Sequence, residues 1–244
     1  MNLLTTVGQL CRVGLGIVLA GCATGAPPAS VPTSVAPASP TSTAADVPRL
    51  PSAGEVEPGT YVYAGPPIAG VRQVTFDIPA GWTSDRGAFL LKEFAAPPAG
   101  VGLGLWIIGD VYADPCAWLG SEVDPPPTSL DELVAAFVSH RGASDPVVVS
   151  VDGYAGKRIE LRVPDDVAFA DCDRGEFRSW TDPRVAGGGR FHQGPGQIDE
   201  LYILDVEGTV LVIGGAHFPG SRREDVDELH QMVETIRIEP GSGG

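Results

Sequence analysis

The chain is poor in positive charge: Lys and Arg total 16 against 31 acids, for a formal net charge of −15. Nucleic-acid binding depends on Lys and Arg neutralising phosphates, and a polybasic grip on anionic lipid needs the same residues, so the balance argues against both. The excess acid keeps the chain soluble through self-repulsion. Lysine is nearly missing (Lys92 and Lys157) and asparagine occurs only as Asn2, which reads as a coding bias of a high-GC genome. No Cys-x-x-Cys spacing occurs among the four cysteines, which removes the usual redox pair. His140, His192, His217 and His230 fall in no His-x-x-x-His or other ligand spacing, so the sequence gives zinc no support. A Gly-x-Ser-x-Gly elbow is missing, and no Ser/His/Asp set can be assembled along the chain. Paired carboxylates are frequent because acids are frequent, and they discriminate nothing. Nothing in the residues calls for a cofactor.

Long apolar runs are absent too. The apolar stretch at 13–20 is far short of the ~20 residues a membrane-spanning helix needs. It follows the single cation of the first twelve residues, Arg12, and ends Leu19-Ala20-Gly21-Cys22. A charged start, a short apolar middle and small residues before a cleavage point are the parts of a secretory signal. The four last residues resemble the bacterial lipobox. That resemblance implies diacylglyceryl transfer to the Cys22 thiol, peptidase cleavage before it and acylation of the new amine. Small side chains at Ala20 and Gly21 let an extended backbone enter the peptidase, and two or more acyl chains give stable anchoring at roughly 0.8 kcal/mol per buried methylene. The expected location is the outer face of the cell membrane, with the bilayer as partner through the lipid. Removing 1–21 takes away one Arg and no acid, leaving the mature chain one unit more negative.

Residues 23–60 are dominated by Ala, Pro, Ser and Thr and hold few large apolar side chains, so they read as a semi-rigid, polyproline-biased linker. The globular domain is expected over 61–240, with a flexible tail at 241–244. Period-two patterning predicts strands at 71–78, 88–94, 101–108, 146–151 and 156–163, with a short one at 176–180. The clearest hairpin is 198–206 with 209–218, turning on Glu207-Gly208. Ser129-x-x-Glu132 is a capping box opening a helix whose Leu130, Leu133, Val134 and Phe137 share one face, and Gly142 stops it. Ser221-x-x-Glu224 is a second box, opening a helix with Val226, Leu229, Val233 and Ile236 inward. Short turns between strands make the sheet mostly antiparallel and the class α+β, with two main helices flanking the sheet.

Phe76-Asp-Ile-Pro-Ala-Gly-Trp82, the Asp152-Gly-Tyr-Ala-Gly-Lys-Arg-Ile-Glu160 hairpin and the ending from Phe218-Pro-Gly through Val233-Glu-Thr-Ile-Arg-Ile-Glu-Pro240 resemble actinobacterial lipoproteins of Mog1/PsbP-like type. The resemblance spans most of 61–240 and implies an antiparallel sheet flanked by helices. Proteins of that fold are mainly binding or assembly factors, so it fixes no activity.

Cys11 leaves with the signal and Cys22 takes lipid, which leaves Cys116 and Cys172 as an even pair in an oxidising compartment. A disulfide is expected between them, the alternative being two buried thiols. Two weaker candidates remain. Arg190 and His192 lie in the glycine-rich run Gly187-Gly-Gly-Arg-Phe-His-Gln-Gly-Pro-Gly196, which can cradle an anion or be a plain loop. Asp171, Asp173 and Glu176 offer closely spaced oxygens suited to Ca²⁺, but Arg174 interrupts them and a solvated acidic loop is the simpler reading. The tryptophans Trp82, Trp106, Trp118 and Trp180 read as packing. Three functions follow in order: a non-catalytic binding domain, an envelope carrier of lipid or amphiphile, and an enzyme. The carrier requires an apolar cavity, and the enzyme requires a pocket where His192 meets an acid.

Overall fold

The computed structural model describes residues 47–93 and 98–241. Leu19, Ala20, Gly21 and Cys22 lie outside the described residues, as does most of the expected linker. In chain order the strands begin with β1 (Ala53–Val56), β2 (Gly59–Val62), β3 (Val71–Ile78), β4 (Trp82–Asp85), β5 (Phe89–Lys92) and β6 (Val101–Trp106). Helix α1 (Leu130–Val138) precedes β7 (Val147–Val151), β8 (Tyr154–Arg162), β9 (Arg178–Thr181) and β10 (Gly189–Phe191). The chain then forms β11 (Ile198–Val206), β12 (Thr209–His217), α2 (Arg223–Thr235) and β13 (Arg237–Pro240). Eight strands make one antiparallel sheet in the order β1-β4-β5-β6-β12-β11-β8-β7, while β13-β3-β2 and β10-β9 form two smaller sheets. The class is therefore α+β, as the patterning predicts.

Both faces of the large sheet are covered, which explains the apolar runs 201–204 and 210–213 of its central strands. On one side Leu204, Val206, Leu211 and Ile213 pack with Val74, Phe76 and Ile78 of β3 and with Leu229, Met232 and Val233 of α2. On the other, Leu201, Ile203 and Val212 pack with Leu133, Val134 and Phe137 of α1 and with Trp180. Successive residues of β11 and β12 thus feed opposite cores, as the two-residue period of a strand requires. The β11–β12 and β7–β8 turns each place a non-glycine and then a glycine at positive φ, Glu207 (51°) with Gly208 (89°) and Asp152 (50°) with Gly153 (83°). Two consecutive left-handed residues are what a two-residue hairpin loop matched to strand twist demands.

Two expectations are corrected. The fold begins before Tyr61: Leu50 and Val56 are core residues, and Leu50 N donates to Val62 O. β1 and β2 each bury a single side chain, Val56 and Val62, so their composition is indistinguishable from linker. The second capping box does not form. Helix α2 starts from Arg222 with no side-chain cap. Ser221 Oγ instead donates to Gly100 O at 2.6 Å and accepts from Phe218 N at 2.9 Å, tying the loop after β12 to the start of β6. The box at α1 does form, with Glu132 N donating to Ser129 Oγ and Ser129 N to Glu132 Oε2.

Candidate functional site

The β9–β10 ribbon stands against the β5–β6 side of the large sheet, and a cleft of about 680 Å³ opens between them. Its walls are Tyr63–Pro66, the turn from Asp85 to Phe89, Leu105 and Trp106 of β6, and the segment from Asp182 to Phe191. Volumes of ~300–1,000 Å³ with a mostly apolar lining are typical of small-molecule sites. The floor is aromatic: Phe89 and Trp106 lie 5.1 Å apart, and Trp106 meets Trp180 edge-on at 5.6 Å. Glycines make room for these rings. Gly104 and Gly214 pair across β6 and β12, where an added Cβ would come within 2.8 Å of Phe89 and 2.9 Å of the Trp106 indole nitrogen. A slot of about 40 Å³ over this glycine patch adjoins the cleft through Phe89, Leu91, Trp106 and Arg190.

Three arginines line the cleft, in a chain whose net charge is −15. Arg184 is tied down: it donates to both oxygens of Asp182, to Pro66 O at 3.2 Å and to Leu105 O at 2.7 Å. Burial works to lower its pKa, and the Asp182 bonds more than reverse that, so it is a fixed cation. Arg190 forms a bidentate pair with Asp199, at 2.5 and 2.6 Å. Arg86 is different. Its side chain is 78% exposed and its nearest acid, Asp85, is 3.8 Å away. Tyr63 lies beside Arg184, and its buried hydroxyl makes no hydrogen bond of good geometry. Burial raises the Tyr63 pKa, which keeps that hydroxyl protonated and a donor.

The structure assembles a set that chain order concealed. Ser179 Oγ lies 2.8 Å from His192 Nε2, and His192 Nδ1 lies 3.8 Å from Asp199 Oδ2. The residue types are those of a serine-hydrolase triad, but the geometry is not. At 3.8 Å the second link is no hydrogen bond. Asp199 instead accepts from Arg190 and from Gln197 Nε2 at 3.0 Å. Burial pushes His192 down to about 3, far from the range in which a general base works at neutral pH. Ser179 and Asp199 are nearly inaccessible, and neither Ser179 nor His192 lines the cleft. The network serves position: it fastens the ribbon onto β11. Arg178 adds to it, its guanidinium 4.4 Å from the Trp118 ring and 4.1 Å from the Phe191 ring. Burial of Asp199 would raise its pKa, but the adjoining Arg190 charge holds it below the usual carboxylate range.

Of the weaker sequence candidates, Arg190 sits in β10 and meets Asp199, while His192 follows β10 and is buried; the pair does not present a common anion cradle. Asp171 and Asp173 fall in two short 3-10 turns, where Asp173 Oδ2 accepts from Leu119 N at 2.9 Å. Among the described residues no three His, Cys, Asp or Glu side chains converge on a metal position. Cys116 and Cys172 are joined by a disulfide with their Cα atoms 4.5 Å apart, under a small cluster of Val163 and Phe177. A further polar knot lies beside α2: Glu200 meets Arg158 at 2.8 Å, His230 at 2.7 Å and His217 at 3.3 Å. Sequence reasoning missed Tyr63, Arg86, Arg184, Ser179 and Asp199. One signal was available: Asp199 and Glu200 sit side by side in an otherwise apolar strand, so each face must supply a buried cation. No protein-family model matches the chain, and no curated protein matches it either.

Proposed function

We propose that this protein is an exported lipoprotein, anchored through Cys22 at the outer face of the cell membrane, whose α+β domain of Mog1/PsbP-like type binds a small molecule without catalysing a reaction. The cleft against the β9–β10 ribbon carries this reading. It has the volume of a ligand site, an aromatic floor, and walls fixed by buried ion pairs so that little ordering is left for binding to impose. The non-catalytic part rests on the triad-like residues being sealed beneath that wall. The aromatic floor favours an amphiphile carried in the envelope over a wholly polar solute.

The test is thermal unfolding of the full chain carrying Cys22→Ser, with and without fractions of a solvent extract of host envelopes. A ligand that binds only the folded state raises the midpoint with concentration. The expected result is a rise with the parent chain and none with Val185→Trp, which fills the cleft from an exposed wall position. The absence of a shift with any fraction, or an equal shift in both proteins, overturns the reading.

A further inference from the structure

We propose that the ligand is an apolar carboxylate, held with its hydrocarbon body on Phe89 and Trp106 and its anionic head between Arg86 and the Tyr63 hydroxyl. This inference rests on the small-molecule reading of the cleft and adds the class of ligand.

The polar inventory of the cleft leads to it. Arg184 and Arg190 have donors directed at Asp182 and Asp199, so each is electrically matched and serves as wall. Among the charged and hydroxyl groups of the lining, two donors are left over. Arg86 has only the loose contact with Asp85, and the buried Tyr63 hydroxyl, beside Arg184, makes no hydrogen bond of good geometry. The backbone brings the two together: Ala64 N donates to Gly87 O at 3.0 Å, laying the turn that carries Arg86 along the segment that carries Tyr63. Gly65 lies directly against the hydroxyl, since a Cβ there would collide with Tyr63 Oη. Arg86 holds a left-handed backbone (φ 56°) between Asp85 and Gly87, which fixes where its side chain leaves the turn. A buried donor left unmatched is destabilising, and an acceptor on the ligand removes that cost. A carboxylate answers both donors at once, through the charge-assisted bonds that guanidinium groups favour. Beyond the head, Phe89, Leu105 and Trp106 present apolar surface, and the slot over Gly104 and Gly214 takes the end of a chain.

The experiment is isothermal titration of the full chain carrying Cys22→Ser with three ten-carbon probes: decanoate, decanol and decyltrimethylammonium. Decanoate is expected to bind at least tenfold tighter than decanol, and the ammonium probe more weakly than either. Arg86→Glu, at an exposed position, should abolish the preference for decanoate over decanol. Tyr63→Phe should weaken decanoate several-fold. Equal affinity for decanoate and decanol, or an undiminished preference in Arg86→Glu, overturns the carboxylate while leaving the cleft a ligand site. Failure of all three probes, with the envelope extract still stabilising the parent chain, also overturns the carboxylate. Failure of the probes and of the extract together removes the small-molecule reading itself.

Discussion

His192 makes the domain acid-labile in a defined window. In the unfolded chain it titrates near its ordinary 6.5, while burial in the fold pushes it down to about 3. Above pH 6.5 both states hold it neutral and it contributes no pH dependence. Below that value the unfolded state takes up a proton that the folded state refuses, so stability falls as pH falls, until the folded histidine itself protonates near 3. One proton of difference corresponds to about 1.4 kcal/mol per pH unit, so lowering the pH from 7.5 to 5.0 removes about 2 kcal/mol through this residue alone. The carboxylates do not interfere in this window. Glu200 and Asp199 are both held below their ordinary values, so their contributions are lost only at lower pH. His140, also lowered by burial, adds to the same trend and cancels in a comparison of variants. His230 runs the other way: its raised pKa gives stability that is complete below pH 6.5 and lost as pH rises through the folded value. The assay is urea unfolding at five pH values between 7.5 and 5.0 for the parent and for His192→Gln, which is neutral throughout. The parent should lose about 2 kcal/mol more than the variant across the series. Parallel slopes would refute the reasoning. So would an NMR titration in which the His192 ring protonates near pH 6.5 in the folded protein.

Arg190→Ala leaves Asp199 buried without its cation and should cost about 3–5 kcal/mol, read by urea unfolding at pH 7; a loss under 1 kcal/mol would mean that the pair is not what fastens the ribbon. Reducing Cys116–Cys172 opens a link between residues 56 apart in sequence. In the chain-entropy model that lowers stability by about 4 kcal/mol, so the melting point should fall on adding reductant to the parent and stay put in Cys116→Ser. Ser129→Ala should cost about 1 kcal/mol through the lost α1 cap, whereas a neutral result would show that the helix end is held by packing alone.

The elements legible in the sequence are those in which local chemistry and tertiary need coincide. The β11–β12 hairpin is written in the chain because Glu207-Gly208 supplies the turn and both strands carry apolar runs beside it. The α1 box is legible because the only groups that share Glu132 Oε2 with Ser129 N belong to its neighbour Thr128. Ser221 has the same local pattern, but Gly100 and Phe218 claim its hydroxyl, and no spacing rule sees a residue 121 positions away. β1 and β2 escape because one buried valine each leaves no period to count. The cleft escapes for a different reason. Tyr63, Arg86, Trp106 and Arg184 come from four separate stretches of chain that only the sheet order and the β9–β10 ribbon bring together.

Native mass spectrometry of the protein released from its own host's membranes tests whether a lipid-anchored domain holds a small molecule. The expected species begins at a diacylglyceryl-modified Cys22, is two hydrogens lighter for the Cys116–Cys172 bridge, and carries a small mass that leaves on denaturation. A chain that retains residues 1–21 without lipid and carries no bound mass would contradict the proposal.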